Sequence, residues 1–233
     1  MRVFVLTGAG VSAESGLGTF RDAGGIWARF DPMKLATPEA FARDPATVHA
    51  FYNARRRNLL AAEPNAAHRA LARLAAGVEL FLCTQNIDDL HERGGSPQVH
   101  HMHGELLRAL CARCGARTNW RDDLSSSARC PACGRAGGLR PDVVWFGEMP
   151  YGLDLIEDRL AAADLFVAIG TSGAVYPAAG YVATARDLGV RTVEVNLEPS
   201  DTTHAFDERR YGPATETVPA LVAELIGPAD GHG

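Results

Sequence analysis

The sequence lacks the features that mark membrane, secreted and nucleic-acid-binding proteins. No apolar stretch is long enough to cross a bilayer, and the strand-like run at residues 1–6 is too short for a signal peptide. The 28 acidic residues outnumber the 23 basic ones, and a net charge of −5 does not suit a nucleic-acid partner. We therefore expect a soluble, cytoplasmic protein with neither a membrane nor a nucleic-acid partner.

Cysteine is also scarce, yet four of the five cysteines are regularly spaced. They form the pattern C-x2-C-x15-C-x2-C at Cys111, Cys114, Cys130 and Cys133. Two such pairs supply the four soft ligands of a tetrahedral Zn²⁺ site. Four cysteines leave no coordination position open for substrate, so the zinc is expected to stabilise the fold rather than to catalyse. The fifth, Cys83, lies in an apolar run and is interpreted as a buried small residue.

The remaining chain alternates strand-like and helix-like patterns. Four predicted strands, at 3–7, 80–84, 164–169 and 191–196, each end in glycine-rich or polar residues, and helical patterns occupy 65–75 and 177–188. This alternation predicts an α/β fold with a Rossmann-like, doubly wound parallel sheet. Ligands bind such sheets at the carboxyl ends of the strands.

Two segments interrupt the alternation. Residues 40–62 have helical periodicity and a basic end, and residues 104–139 contain the cysteines. We expect one catalytic domain over residues 1–233 with two lobes. The large lobe comprises 1–30, 68–103 and 140–233, and the small lobe comprises 31–67 (helical) and 104–139 (zinc module), with a ligand cleft between them.

The first strand runs into a candidate phosphate-binding turn. The run from Gly8 to Ala13, GAGVSA, resembles a G-x-G-x-x-G/A motif, although an ordinary strand-to-helix turn would also explain it. The acidic residue usually found about 20 positions downstream has no clear counterpart here. We expect Asn196 and Glu198, after the last predicted strand, to meet the adenine ribose instead.

Polar residues follow two more segments. Gln85, Asn86 and Asp88 stand at a strand end, where they could orient a ribose and a carboxamide or simply form an Asx turn. His103 closes a histidine-rich run, HHMH, at the border of the zinc module. A lone histidine is usually structural, but because cysteines already satisfy the zinc, His103 is better placed for proton transfer.

Taken together, these motifs resemble the sirtuins, a family of NAD-dependent protein deacylases. The matching segments, in order, are GAGVSAESG at 8–16, TFR at 19–21, TQNID at 84–88, HG at 103–104, the four cysteines and GTS at 170–172. The resemblance covers essentially the whole chain. It implies that NAD is consumed: the acyl oxygen of a modified lysine attacks C1′ of the nicotinamide ribose, giving nicotinamide and an alkylimidate.

The resemblance also implies roles for individual residues. His103 would be the general base that activates a ribose hydroxyl, leading to O-acyl-ADP-ribose, and Asn86 and Asp88 would hold the nicotinamide amide. The residues implied in NAD binding are Gly8, Ala9, Gly10, Ser12, Ala13, Glu14, Thr19, Phe20, Arg21, Trp27, Gln85, Asn86, Ile87, Asp88, Gly170, Thr171, Ser172, Asn196, Leu197, Glu198 and Ala214.

Two further segments resemble the family's substrate-binding elements. The run Val143, Val144, Trp145, Phe146, Gly147 and Glu148 is similar to its peptide-binding strand, although an ordinary core strand would account for the two valines. Tyr52 and Arg55, three apart on a predicted helix, resemble the Tyr-x-x-Arg pair of class III sirtuins, which remove succinyl and malonyl groups, and Ala36 matches the small residue of their acyl pocket. A solvated basic helix end is the alternative for the arginines.

Two other functions remain open from the residues alone. The glycine loop suits an NAD- or FAD-dependent oxidoreductase, but that function leaves His103 and the Tyr52–Arg55 pair unexplained. The cysteine module suits a zinc ribbon that binds nucleic acid or protein, but the chain is acidic and the module offers little more than scattered arginines. We therefore expect a deacylase that acts on acyl-lysine peptides bound as an extended strand, uses NAD and one structural Zn²⁺, and works as a monomer.

Overall fold

A six-stranded parallel sheet is the centre of the molecule. The computed structural model describes residues 1–18 and 32–227. The strands of this sheet are β1 (Arg2–Thr7), β2 (Glu79–Thr84), β3 (His100–His101), β7 (Leu165–Ile169), β8 (Arg191–Asn196) and β9 (Glu208–Tyr211). They lie in the order β3-β2-β1-β7-β8-β9. The four strands expected from the sequence are confirmed, and β3 and β9 are additional edge strands.

Helices cover both faces of this sheet, as the alternation of its side chains requires. Val3 and Val5 of β1 point to the face covered by α3 (Ala66–Gly77) and α7 (Ala214–Ile226). Phe4 and Leu6 point to the opposite face, covered by α5 (Leu153–Ala161) and α6 (Tyr181–Asp187). The predicted doubly wound α/β fold is therefore confirmed.

The helical excursion forms two helices. Helix α1 (Pro38–Arg43) is capped by Thr37 and α2 (Pro45–Ala61) by Asp44, whose Oδ1 accepts a hydrogen bond from the Thr47 N–H at 3.1 Å. Proline at the first position of each helix fits, because that position needs no N–H donor. The short helix α4 (Leu90–Arg93) follows β2. None of the helices in the described parts is long and apolar enough to span a membrane.

The cysteine module contributes a separate antiparallel sheet. Its strands are β4 (Gly104–Cys111), β5 (Arg117–Asn119) and β6 (Leu139–Val143), in the order β5-β4-β6. Strand β6 pairs with β4 and so continues this sheet beyond residue 139, where the sequence placed the end of the zinc module. One hydrophobic cluster joins the excursion to this sheet through Val48, Phe51 and Leu59 on α2 and Leu106 on β4.

Candidate active site

The carboxyl ends of β1 and β7 meet with almost no space between their backbones. After β1 the chain adds β2 and β3 on one side, whereas β7 to β9 lie on the other, so the sheet reverses its order between β1 and β7. At this point the Gly10 N–H donates to the Gly170 carbonyl oxygen at 2.8 Å. A Cβ at Gly8 would lie 2.7 Å from that oxygen, and one at Gly10 would lie 2.6 Å from the Gly170 Cα. This switch point is where open α/β sheets bind their ligands.

The turn after β1 differs from the ordinary strand-to-helix turn that was the alternative to a phosphate-binding turn. Single 3-10 turns at Ala9–Val11 and Ala13–Ser15 follow the strand, and no long helix begins within residues 8–18. Ser12, between the two turns, is fully buried. The exposed Glu14 accepts hydrogen bonds from the backbone N–H and hydroxyl of Thr215, which fixes the turn to the start of α7 beside Ala214.

Ser12 joins Asn86 and Asp88 in a buried polar cluster. The Ser12 hydroxyl donates to Asp88 Oδ2 at 3.0 Å, and the Asn86 amide donates to the Gly8 carbonyl oxygen and to Ser12 Oγ, both at 3.2 Å. Asp88 Oδ1 accepts the Leu90 N–H at 3.1 Å, so the predicted Asx turn is also present. Burial raises the pKa of Asp88, and the bonds from Leu90 and Ser12 only partly oppose this shift.

Gln85 and the residues after β7 and β8 line the next part of the same edge. The Gln85 amide donates to Thr171 Oγ1 at 3.1 Å, and the Asn196 amide donates to the Thr171 carbonyl oxygen at 2.8 Å. Ser172 is half-buried, and Leu197 and Glu198 are exposed. Residues from the ends of three strands are therefore brought together, as expected for a long ligand laid across the edge.

His103 lies at the border between the two sheets with its ring orientation defined. Nδ1 is 3.1 Å from the carbonyl oxygen of Gln85. Because a carbonyl only accepts hydrogen bonds, Nδ1 carries the hydrogen, and Nε2 of the neutral ring is then free of a proton. Burial lowers the pKa of His103, although the bond to Gln85 opposes this effect, so the ring is neutral at pH 7.

Tyr52 and Arg55 share one face of α2, as their spacing predicts. Tyr52 is almost fully buried, and its hydroxyl accepts a hydrogen bond from Trp145 Nε1 at 2.9 Å. The Arg55 guanidinium carbon lies 5.9 Å from the centre of the Tyr52 ring and 5.7 Å from that of Phe51. Burial lowers the pKa of Arg55, and the charges of Tyr52 and Asp88 oppose this. Arg55 therefore lies within electrostatic reach of the cluster around Asp88.

The three consecutive arginines have three different environments. Arg56 is fully buried and donates to the Leu106 carbonyl oxygen and to the Asn53 side chain, at 3.1 Å and 2.7 Å. Arg57 is exposed and pairs with Asp123. A solvated basic helix end therefore describes Arg57 only.

The predicted peptide-binding strand is only partly a strand. Strand β6 ends at Val143, residues 144 and 145 are irregular, and a turn follows over 146–148. The Val144 N–H donates to the His103 carbonyl oxygen at 2.8 Å and the Phe146 N–H to the Ala36 carbonyl oxygen at 2.9 Å, so internal bonds replace a continuous ladder. Trp145 is buried, whereas Phe146 is 43% exposed, so the two adjacent rings lie in different environments.

Glu148 has a structural partner as well. Its carboxylate forms an ion pair with Arg140 at 2.6 Å and accepts the Trp145 N–H at 2.8 Å. The Arg140 guanidinium also lies 3.6 Å from the centre of the Trp145 ring. This arrangement fixes the turn that follows β6.

The four cysteine sulfurs fit a zinc ion. They all lie within 4.8 Å of one another, and the Cys111–Cys133 and Cys114–Cys130 sulfur pairs are 4.0 and 3.8 Å apart. A tetrahedron with Zn–S bonds of about 2.3 Å has sulfurs about 3.8 Å apart. The backbone N–H of Arg113 is the first of several groups that lower the pKa of Cys111 to about 7, which favours the thiolate that a metal binds. The predicted zinc-binding cluster is confirmed.

Comparison with known proteins now identifies the family. The Sir2 family model matches residues 8–177. The chain belongs to the Sir2 family. The sequence-based assignment to the sirtuins is therefore confirmed.

Relatives within the Sir2 family match this chain over nearly its full length. A protein of Caulobacter vibrioides named NAD-dependent protein deacylase is 61% identical and covers 97% of both chains. An Escherichia coli protein of the same name is 55% identical over 97% of this chain and 82% of its own.

Solved Sir2 structures share the fold. A Sir2 homologue in complex with NAD matches with a TM-score of 0.88 and 40% identity, covering 96% of this chain and 88% of that one. A Sir2 mutant with a deacetylated p53 peptide and 3′-O-acetyl ADP-ribose matches with a TM-score of 0.82 and 29% identity, covering 97% and 94%.

Some residues of the Sir2 pattern lie outside the described part of the chain. They are Thr19, Phe20, Arg21 and Trp27. The other predicted NAD-site residues border the switch point or the ends of β2, β7 and β8, and Ile87 accepts the Leu106 N–H at 2.8 Å through its carbonyl oxygen.

Two histidines beneath the Sir2 site were missed by the sequence analysis. His68 Nε2 is 3.3 Å from Ser12 Oγ, and His91 Nε2 is 2.9 Å from the hydroxyl of Thr7. Burial is the largest cause that lowers the pKa of each, to about 4 for His68. His68 completes a capping box with Asn65, a signal present in the sequence, whereas no sequence pattern marks His91.

Proposed function

We propose that this chain is an NAD-dependent protein lysine deacylase that removes acetyl groups and, through Tyr52 and Arg55, succinyl and malonyl groups. The products would be nicotinamide and O-acyl-ADP-ribose. The observation that carries the proposal is the contact between His103 Nδ1 and the Gln85 carbonyl oxygen, because it leaves Nε2 as a base beside the switch point. The names of the bacterial relatives support the same activity.

NAD would enter as a consumed substrate and supply the electrophilic C1′ carbon of its nicotinamide ribose. The close approach of Gly8, Gly10 and Gly170 keeps side chains out of the switch point, where a pyrophosphate would bind against the backbone. Gln85 would contact the ribose, and Asn86 and Asp88 the nicotinamide amide. These two side chains already have fixed orientations through Ser12, so little reorganisation is needed when the substrate binds.

His103 would act after the glycosidic bond has broken. Its neutral Nε2 would take the proton of a ribose hydroxyl, and that oxygen would then attack the acyl carbon of the alkylimidate. Departure of the lysine amine and addition of water at the same carbon would complete O-acyl-ADP-ribose. The lowered pKa keeps the ring in the active, neutral form as the pH falls through about 6.5, its ordinary pKa. The acid limb of the rate profile is therefore expected below that pH.

The adenosine end is assigned to residues after β7, after β8 and at the start of α7. The bond from Asn196 to the Thr171 carbonyl oxygen supports a joint role for those two loops. The residues proposed for this end are Gly170, Thr171, Ser172, Asn196, Leu197, Glu198 and Ala214.

The acyl group would lie against α2. Tyr52 accepts its hydrogen bond from Trp145, so its own hydroxyl hydrogen can be donated to an acyl carboxylate. The half-buried Arg55 would supply the positive charge, and a contact of this kind is about twice as strong as one between neutral groups. Ala36, buried in the same hydrophobic cluster as Tyr52, would leave room for the longer acyl chain.

The acylated peptide would bind along residues 143–148, where the N–H groups of Val144 and Phe146 bond to the carbonyl oxygens of His103 and Ala36. The Sir2 structure with a deacetylated p53 peptide supports a peptide substrate. The exposed Phe146 and the backbone around Gly147 would contact it, while Glu148 acts through Arg140.

We propose further that one chain suffices, with the two lobes divided as the sequence suggests and the cleft between them as the site. Every proposed functional residue comes from this chain, so a monomer would contain the full site. Activity in the cytoplasm would fit the proposed protein substrates.

Mass spectrometry of the reaction products tests the function. NAD is incubated with matched acetyl-lysine and succinyl-lysine peptides, and O-acyl-ADP-ribose and free nicotinamide are expected only when an acyl peptide is present. His103→Tyr should abolish O-acyl-ADP-ribose formation. Reduction of NAD without release of nicotinamide would contradict the proposal and support an oxidoreductase.

A further inference from the structure

Three side chains that the proposed reaction does not use converge behind the segment that carries His103. Glu92 lies on α4, His101 on β3 and Glu105 on β4, and one nitrogen or oxygen of each lies within 4.8 Å of the others. The His101 side chain is only 8% exposed, whereas those of Glu92 and Glu105 are 40% and 32% exposed. An imidazole and two carboxylates therefore meet at a site that solvent can reach.

His101 faces hydrogen-bond acceptors at both ring nitrogens. Nδ1 is 3.3 Å from the carbonyl oxygen of Asn86, and Nε2 is 2.6 Å from Oε1 of Glu92. A neutral ring can donate from one nitrogen only, so it would point a lone pair at one of these oxygens. A positive species at Nε2, either a proton or a metal ion, removes this conflict while Nδ1 donates to Asn86.

We propose that Glu92, His101 and Glu105 bind a divalent first-row transition-metal ion at a site distinct from the four cysteines. One imidazole and two carboxylates form a ligand set that suits Zn²⁺ and its neighbours. Two ligands about 2.1 Å from a metal are about 3.0 Å apart at right angles and about 3.4 Å apart at the tetrahedral angle. Glu92 would therefore have to move outward from His101 by about 0.4 to 0.8 Å, and its exposure permits that.

The surrounding charges are compatible with a cation. Arg108 Nη1 pairs with Oε2 of Glu105 at 2.7 Å, so Oε1 is the oxygen that a metal would take. Asp142 lies 3.2 Å from Arg117 and 3.9 Å from Arg108 Nε and offsets one of their two positive charges. The three carboxylates of Glu92, Glu105 and Asp142 therefore exceed the two arginines by one negative charge, which favours a cation.

The site also has room for water ligands. A cavity of about 270 Å³ opens beside it and is lined in part by His101, Glu105 and Tyr151. Three protein ligands with added water make a common coordination shell for such ions. A bound ion would connect α4, which precedes His103 in the chain, to β4, which follows it.

Titration of the intact protein with Co²⁺ and with Zn²⁺ tests the proposal. The starting protein carries one zinc per chain in its cysteine site, as verified by elemental analysis. One equivalent of Co²⁺ is expected to bind as the second metal ion of the chain. It should give weak visible bands without a thiolate charge-transfer band, because its ligands are nitrogen and oxygen. Calorimetry with Zn²⁺ should show the same stoichiometry.

Variants locate the ion. His101→Gln and Glu105→Gln should each weaken metal binding by at least about 10- to 100-fold. Even the loss of a group that only hydrogen-bonds to a metal ligand weakens binding by that factor. The exposed His204→Gln and Glu216→Gln serve as matched controls and should leave the affinity unchanged.

Three outcomes would contradict the proposed site: no metal ion bound beyond the zinc of the cysteine site, a thiolate charge-transfer band from the added Co²⁺, or wild-type metal affinity in both His101→Gln and Glu105→Gln. Circular dichroism checks the folding of each variant. If His101→Gln fails to fold, Glu105→Gln alone decides, because the half-exposed Glu105 can be replaced without opening the core.

Discussion

At the nucleotide end of the proposed site, the backbones of the loops after β1 and β7 are in direct contact. At the proposed acyl end, the contacts come from side chains on one helix. There is no space for a Cβ at Gly8, Gly10 or Gly170, so this end of the site depends on the absence of side chains. Tyr52 and Arg55 instead project from α2, and the chemistry depends on which groups are present. The first arrangement tolerates almost no substitution, while the second can be altered to change the acyl group that is accepted.

The proposed small lobe carries the proposed acyl end, and we expect its dependence on zinc to be the strongest difference between it and the six-stranded sheet. Two of the five buried residues in the zinc-module core, Cys111 and Cys130, are themselves ligands, so little apolar core remains without the metal. Structural zinc contributes on the order of 10 kcal/mol to comparable modules. Removing it with a chelator should abolish activity and remove hydrogen-exchange protection from β4 to β6, while β1 and β7 stay protected.

Cys130→Ser should have the same effect as the chelator. Cys83→Ala provides the control, because Cys83 is buried in a hydrophobic cluster of the six-stranded sheet and is not one of the four clustered cysteines. This variant should keep one zinc per chain. A metal-free protein that retained both activity and protection would show that the zinc is dispensable.

The nucleotide end should respond next most strongly, to a single added methyl group. Gly170 has φ +62°, and a Cβ there would lie 2.5 Å from the backbone nitrogen of Val11. The left-handed conformation costs about 1–2 kcal/mol for a non-glycine residue, and the clash adds about 1–3 kcal/mol. Gly170→Ala should therefore lower the free energy of unfolding, measured in urea, by about 2–5 kcal/mol and weaken NAD binding.

Gly189→Ala measures the cost of the left-handed conformation alone, without the steric clash. Gly189 has φ +73°, and among the described residues no atom lies within 4 Å of its added Cβ. This control should lose only about 1–2 kcal/mol. Equal losses in the two variants would mean that the close approach at the switch point carries no special cost.

The acyl end should show a change in selectivity instead of a loss of stability. A dry arginine–carboxylate contact is worth about 2–4 kcal/mol, which corresponds to roughly 30- to 1000-fold in rate. Arg55→Met should lower kcat/KM for a succinyl-lysine peptide by that factor and leave the value for the matched acetyl-lysine peptide nearly unchanged.

Arg57→Met is the natural control, because Arg57 lies two positions further along the same helix but is exposed and paired with Asp123. Neither rate should change in this variant. An equal fall of both activities in Arg55→Met would contradict a role in binding the acyl carboxylate.

The two ends also differ in how far the sequence predicts them. The strands at β1, β2, β7 and β8 were predicted because their long apolar runs identify buried strands wherever they occur. The short edge strands β3 and β9 were not, because residues such as His100 and Arg209 carry no strand pattern and their pairing is decided by the neighbouring strand.

Side-chain environments were less predictable than elements. Arg55, Arg56 and Arg57 look alike in the sequence, but only the fold decides that Arg56 is buried against β4. The contact of Ser12 with Asp88 spans 76 positions, and no local pattern signals it. Trp145 and Phe146 are adjacent aromatic residues in the sequence, but the fold buries the first and exposes the second.

The smallest expected effect concerns His68, which supports the nucleotide end from beneath. Its burial lowers its pKa from 6.5 to about 4, so the folded protein requires a neutral ring that the unfolded chain protonates more readily. The resulting stability is fully present above about pH 6.5 and is lost as the pH falls toward about 4. Between about pH 7.5 and about pH 5, this shift predicts a loss of about 2 kcal/mol in the free energy of unfolding.

His68→Gln should reduce this pH dependence, because glutamine does not titrate yet can still complete the capping box with Asn65. Urea unfolding at the two pH values measures the effect, with the exposed His204→Gln as the control. Because His91 lies 4.9 Å away, ring centre to ring centre, and its pKa is also lowered by burial, part of the acid sensitivity should remain. An unchanged pH dependence in His68→Gln would assign the acid sensitivity to His91 or to other groups.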